Sequence, residues 1–271
     1  MVKVRTFAKW GFIALILFFI YCPIVFLTVN SFNANDNIQS PWGGFSWTHY
    51  QYFFDFDNEP MQVVGQTFLL AFVVATLSTI LGTVGAIGMF YSKKRINATL
   101  SAANRIPVIN AEVVTAISFA LFTAFFGIDK STYIPLVIGQ MILCTPFVVL
   151  SVLPKLRQMD NNLYEAALDL GASPKRALFS VIIPQILPGI LAGFLLSITL
   201  SLDDYVVAAY TKPDSFMTIS THIYGLDKNN VVGPQIKAAY WAFTAIIFFI
   251  IVIAVIAANV ISYRKVRSKK K

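Results

Sequence analysis

The 271-residue chain is 57% hydrophobic and only 13% charged, with a formal net charge of +8; an average soluble domain is roughly 25% charged. A water-soluble domain around one packed core is excluded, and the fold class expected is an all-α membrane protein. No nucleic-acid partner is expected either, because the basic residues flank apolar blocks instead of clustering on one folded face.

The first apolar block covers 10–29, behind Lys3, Arg5 and Lys9. A basic flank also opens signal peptides, but this run of about 20 residues is long for an h-region and no small-x-small site follows it. A retained membrane helix is expected. Further blocks bounded by charge, Gly or Pro fall at 64–91, 106–126, 134–153, 186–209 and 238–262, which makes six spans in one transmembrane domain over 1–271. Cys22 and Cys144 sit inside apolar blocks without disulfide or metal-ligand spacing, so no metal site is expected.

Lys and Arg in alternate connections set the direction, because positive residues stay on the cytoplasmic side. Seventeen of the 21 lie before span one, between spans two and three, between spans four and five, and in the tail YRKVRSKKK. Both termini are expected in the cytoplasm. The outer connection over 30–62 has neither Lys nor Arg, and its stretch SPWGGFSWTHYQYFFDFDNEP is rich in aromatics and acids. It reads either as an interfacial aromatic belt or as an entrance for a cation at Trp47.

Span two carries Ala75, Ser78, Gly82, Gly85, Ala86 and Gly88, small residues that let helices approach closely. No Gly-x-x-x-x-Gly-Lys-Ser/Thr run exists, so the chain has no P-loop. His49 and His222 read as isolated surface residues, and no HExxH, nucleophile elbow or Cys-His cluster appears. Catalytic residues are not expected.

Between spans four and five, NNLYEAALDLGASPKRALFSVIIP (161–184) reads as a soluble helical insert. Asn162 followed by Glu165 gives an Asn-x-x-Glu form of the capping box and starts a helix near Leu163. Gly171 can take the left-handed conformation that ends it. Ser173 is then a second N-cap, with Pro174 suited to the first helical position. Pro184 and Pro188 are expected to break or kink the chain as it re-enters the bilayer. Ala166 and Ala167 give the first helix a low profile, suited to a groove on another protein.

Glu165-Ala166-Ala167, three residues, Gly171, nine residues and Val181-Ile182-Ile183-Pro184 resemble the EAA loop of bacterial ABC importer permeases, written EAA, x3, G, x9, I-x-L-P. Val181 for Ile and Ile183 for Leu are the departures. The resemblance covers nearly the whole chain and implies a type I ABC importer permease fold in the bacterial cytoplasmic membrane. It also implies that the 154–185 loop carries a coupling helix, with Glu165, Ala166, Ala167, Gly171 and Ser173 serving a separate ATPase. ATP and Mg would be bound by that ATPase pair, with no cofactor in this chain.

Glu112, Asp203 and Asp204 stand within or at the edge of apolar spans. A charge at the bilayer centre costs about 2.5–3.5 kcal/mol on insertion scales, so such acids normally face a partner charge or a watery pathway. No Lys or Arg lies inside any of the six spans, which points to a cationic substrate. Gly193, Ser197, Ser201 and Asp204 form one small and polar stripe at i, i+4, i+8 and i+11; it reads as a packing seam or, with the acids included, as a pathway wall. Glu112, Thr115 and Phe119 share a face of span three.

EVVTAISFALF from Glu112, TPFVVLSVLPKL from Thr145, EAALDLGAS from Glu165 and LSLDDYVVAAYT from Leu200 are similar to the C-type permease branch of spermidine and putrescine importers. The resemblance implies cation contacts at Glu112, Asp203 and Asp204 with Ser201 beside them. Its implied partners are a B-type second permease, two ATPase copies and an extracytoplasmic binding protein. A permease for an amino acid derivative, an opine or a metal-chelate shares the EAA loop and stays open at this point, as does an ATP-independent transporter.

Overall fold

Helices make up nearly all the regular structure in the computed structural model, which describes residues 2–37, 40–55, 58–160, 162–229 and 234–268. Asn161, at the head of the insert, and Lys269, Lys270 and Lys271 of the basic tail lie outside the described residues. In chain order the helices are α1 (Val2–Asn30), α2 (Thr48–Phe54), α3 (Glu59–Tyr91), α4 (Lys94–Ile109), α5 (Glu112–Phe125) and α6 (Ile134–Gln158). The insert gives α7 (Asn162–Asp169) and α8 (Pro174–Ala177), followed by a π-helical segment, Leu178–Ile182, and α9 (Ile183–Asp203). Then come α10 (Val206–Thr211), α11 (Ile219–Asn229) and α12 (Pro234–Ser268).

Five helical stretches are long and apolar enough to cross a membrane: Trp10–Asn30, Glu59–Tyr91, Ile134–Gln158, Pro174–Asp203 and Gln235–Ile253. A sixth exists only if α4 and α5 count together, and they meet at 105°. The single straight span expected over 106–126 is therefore broken. Asn110 is extended (φ −71°, ψ 147°), and Pro107 inside α4 cannot supply a backbone N–H. The 14 residues of α5 reach about 21 Å at 1.5 Å per residue, short of a hydrocarbon core of about 30 Å.

Of the break or kink expected at Pro184 and Pro188, a break does not occur. The helix runs through both, continuous from Pro174 to Asp203. The π-helical segment directly before Pro184 accommodates the missing N–H and the ring by shifting the hydrogen-bond register: Ile183 N–H donates to Leu178 O.

The chain forms two compact units, Met1–Gln62 with Leu226–Lys271, and Val63–Gly225. In the first, α1 and α2 each pack against α12. Phe53 stacks on Phe243 and His49 meets Trp241 edge-on. In the second, α6 and α9 form the most extensive helix pair. Val148, fully buried in α6, is seated between two glycines: a Cβ at Gly82 of α3 would stand 2.8 Å from Val148 Cγ1, and one at Gly193 of α9 would stand 3.1 Å from it. Helix association in lipid rests on such close packing, since lipid tails are as apolar as the side chains. Val149, Val152 and Leu156 of α6 continue this core against Ala86 and Met89 of α3 and Ile182 and Ile186.

Both histidines depart from the surface reading. His49 is 2% exposed, with Nδ1 at 3.6 Å from Asp36 Oδ1, and His222 is 5% exposed.

Candidate substrate cavity and docking helix

The end of α9 is shaped by one carboxylate. Asp204 leaves the helix in an extended conformation (φ −64°, ψ 117°). Its side chain then turns onto the next short helix, Oδ1 accepting from Val207 N–H at 2.9 Å and Oδ2 from Ala208 N–H at 3.0 Å. These are first-turn N–H groups with no intrahelical partner. Gln140 of α6 donates from Nε2 to Asp204 Oδ2 at 2.8 Å, and its Oε1 accepts from Ser201 Oγ at 2.7 Å. Gln140, Ser201 and Asp204 are all buried, so this network satisfies polar atoms that would each cost free energy if left alone.

Opposite it stands Glu112, the first residue of α5, where unpaired helix N–H groups favour negative charge. Glu112 and Asp204 line the same cavity. Asp203, by contrast, is exposed at the last position of α9. All three acids line one cavity of about 250 Å³, together with Asn110, Thr115, Phe147 and neighbouring apolar residues. Neither Lys nor Arg is among its lining residues. The bend at Asn110 is what brings this wall in: Asn110 Nδ2 donates to Thr115 Oγ1 at 3.1 Å across the break.

Ser201 does not line the cavity; it lies beneath it, held by Gln140. The stripe through Gly193, Ser197 and Ser201 is buried against α6, with Cys144 Sγ donating to Ser197 O at 3.7 Å. It is a packing seam along most of its length, and only its acidic end opens into space. Trp47 belongs to the first unit, 54% exposed in an aromatic cluster with Phe32, Phe45 and Tyr50. Gln140 is the functional candidate that sequence reasoning missed. A single amide in the apolar run IPLVIGQMILC was its signal. Among the described residues no three His, Cys, Asp or Glu side chains are grouped to hold a metal ion.

Outside the long helices, the insert forms two short ones around a turn. Gly171 has φ +84°, and the paired bonds Ala172 N–H to Ala167 O at 3.0 Å and Gly171 N–H to Leu168 O at 2.9 Å are the two bonds of a Schellman C-cap. Ser173 Oγ accepts from Arg176 N–H at 3.4 Å with Pro174 beginning α8, as expected. Asn162 is the first residue of α7 rather than its cap, and its N–H donates to Asp160 Oδ1 at 3.0 Å. Glu165 and Ala166 are exposed and Ala167 is half-buried. Leu163 and Ala166 of α7 and Leu170 just past its end, at i, i+3 and i+7, leave an apolar stripe open, with Leu170 89% exposed.

Apolar helices of spanning length, an acidic cavity between them and a capped helical insert define a multi-pass membrane transport component. The chain matches the binding-protein-dependent transport system inner membrane component family over residues 78–268, and it belongs to that family. It is 31% identical, over 86% of its own length and 90% of the relative's, to the spermidine/putrescine transport system permease protein PotC of Haemophilus influenzae. The PotC protein of Escherichia coli is 30% identical over 96% of this chain and 95% of that relative. The putrescine transport system permease protein PotI of E. coli is 29% identical over 85% of this chain and 84% of its own.

Proposed function

We propose that this chain is one of two permease subunits of an ATP-driven importer for polyamines, spermidine and putrescine among them. The observation that carries the reading is the cavity lined by Glu112, Asp203 and Asp204 without a basic residue. A polyamine carries several ammonium groups and no anion of its own, so it supplies the positive charge the cavity lacks. Likeness to PotC and PotI supports the same substrate class. Asp203 and Glu112 are the cation contacts in this scheme, with Asp204 fixed by its own hydrogen bonds as the inner wall. Trp47 is assigned to the outer approach.

The insert is the coupling element. Leu163 and Ala166 of α7, with Leu170 just past its end, enter a groove on a partner ATPase, with Glu165, Ala167, Gly171 and Ser173 setting the shape of the turn. ATP and Mg belong to that ATPase pair. The remaining partners are a related B-type permease and an extracytoplasmic binding protein. Six crossings, with the α4–α5 pair as the bent third and both termini in the cytoplasm, follow from the distribution of Lys and Arg.

The complex co-purified through this chain and reconstituted with its binding protein tests the reading. Its ATP hydrolysis is expected to rise with spermidine or putrescine and to ignore amino acids, opines and metal-chelates. Stimulation by one of those solutes and none by polyamines would overturn the substrate assignment.

A further inference from the structure

A second, smaller cavity of about 110 Å³ opens in the same unit, between α3, α4 and α6. Its floor is apolar, formed by Met89, Val149 and Leu153 among others, and Arg105 of α4 and Arg157 of α6 line it with Ser101 and Asn104. Both arginines are exposed, and no ion pair to a carboxylate is seen for either among the described residues. Two unpaired guanidinium groups on neighbouring helices repel each other unless an anion lies between them. An Arg fork matches the oxygens of a phosphate in paired hydrogen bonds.

The position of the cavity narrows the anion further. No residue of α4 is buried, and Ile96, Leu100 and Ile106 are exposed on it, as on a helix lying at a membrane boundary. Lys93 stands at the N-cap of the same helix, and Lys94 and Arg95 begin it. Basic pockets between helices on the cytoplasmic side suit phosphate headgroups, with the adjoining chain on apolar surface. The cytoplasmic placement rests on the orientation proposed above.

We infer that the cavity between Arg105 and Arg157 binds a phosphate group, that of an anionic lipid from the cytoplasmic leaflet, its glycerol and acyl portion lying on the Met89, Val149 and Leu153 floor. The bound phosphate bridges α4 to α6 and steadies the bend that supports the acidic cavity. Substrate does not enter this site, so its failure and failure of the polyamine reading are separable.

The test uses the intact complex in phosphatidylcholine vesicles with or without phosphatidylglycerol, followed by native mass spectrometry of the lipid retained. The wild type retains phosphatidylglycerol in preference to phosphatidylcholine. Arg105→Gln with Arg157→Gln weakens retention about tenfold or more, as loss of charge-assisted bonds requires. Arg105→Lys with Arg157→Lys, which keeps the charge and loses the fork, falls between them and guards against a double variant that fails to assemble. In a second arm, inorganic phosphate is titrated calorimetrically into lipid-depleted wild-type complex and the Lys variant. Arginine-dependent phosphate binding without any preference for phosphatidylglycerol supports the phosphate site and names a free anion as its source. Equal retention of the two lipids by the wild type, with no arginine-dependent phosphate binding, overturns the inference.

Discussion

Gln140 and Asp204, 64 residues apart in the chain, are joined by a buried 2.8 Å hydrogen bond from Nε2 to Oδ2, and the same amide accepts from Ser201. The bond ties α6 to the end of α9 where the acidic cavity begins. Gln140→Leu keeps the volume and removes both polar functions, leaving the Ser201 hydroxyl and one carboxylate lone pair of Asp204 without their partner. A stability loss of about 1–3 kcal/mol is expected, read as a lower unfolding temperature of the purified complex. An unchanged transition would mean the amide is not holding the two helices.

The two adjacent aspartates should separate cleanly. Asp204→Asn weakens the cap on α10 and the link to Gln140, so the amount of assembled complex falls. Asp203→Asn touches no such network; assembly holds while uptake of labelled spermidine declines. Assembly by size-exclusion chromatography, set beside uptake, distinguishes them, and identical behaviour of the two variants would contradict the division of roles.

Val148 seated between Gly82 and Gly193 makes a prediction about packing. Gly82→Val forces backbone or side chains apart and costs about 1–3 kcal/mol, the usual penalty of overpacking. Gly88→Ala lies on the same helix, where an added Cβ meets nothing within 4 Å, and leaves the unfolding temperature at or slightly above that of the wild type. Matching shifts for the two would show that the close approach at Gly82 is unimportant.

At the turn between α7 and α8, Gly171 holds φ +84°. A left-handed conformation costs an L-residue roughly 1–2 kcal/mol, more for a β-branched side chain, so Gly171→Val reshapes the turn that presents α7. No residue of this turn lines the acidic cavity. Uptake per ATP hydrolysed should therefore fall while the complex still binds substrate, and a normal ratio would remove α7 from the coupling path.

These cases show where the sequence was informative. Gly171, Ser173 and Pro174 were legible because capping and positive φ depend on a few neighbouring residues. Glu112, Asp203 and Asp204 were legible because charge is rare in an apolar run. Gln140 was not singled out, since its partners lie 61 and 64 residues away and one amide hardly alters local hydropathy. The same averaging hid the break at Asn110, where apolar character continues on both sides of a 105° bend. At Pro184 proline was expected to break or kink the helix; the helix continues, with a π-helical segment just before the proline. The Gly193, Ser197 and Ser201 stripe had two readings in sequence, and burial against α6 decided for the seam.

The central claim is that the acids of the 250 Å³ cavity carry a polycation. ATP-driven uptake of labelled spermidine into proteoliposomes, comparing wild type with Glu112→Gln plus Asp203→Asn, addresses it directly, because neither substitution removes a bond to Gln140 or the α10 cap. The account predicts that the double variant assembles and hydrolyses basal ATP normally yet loses most uptake. Uptake equal to the wild type in a correctly assembled complex would contradict it.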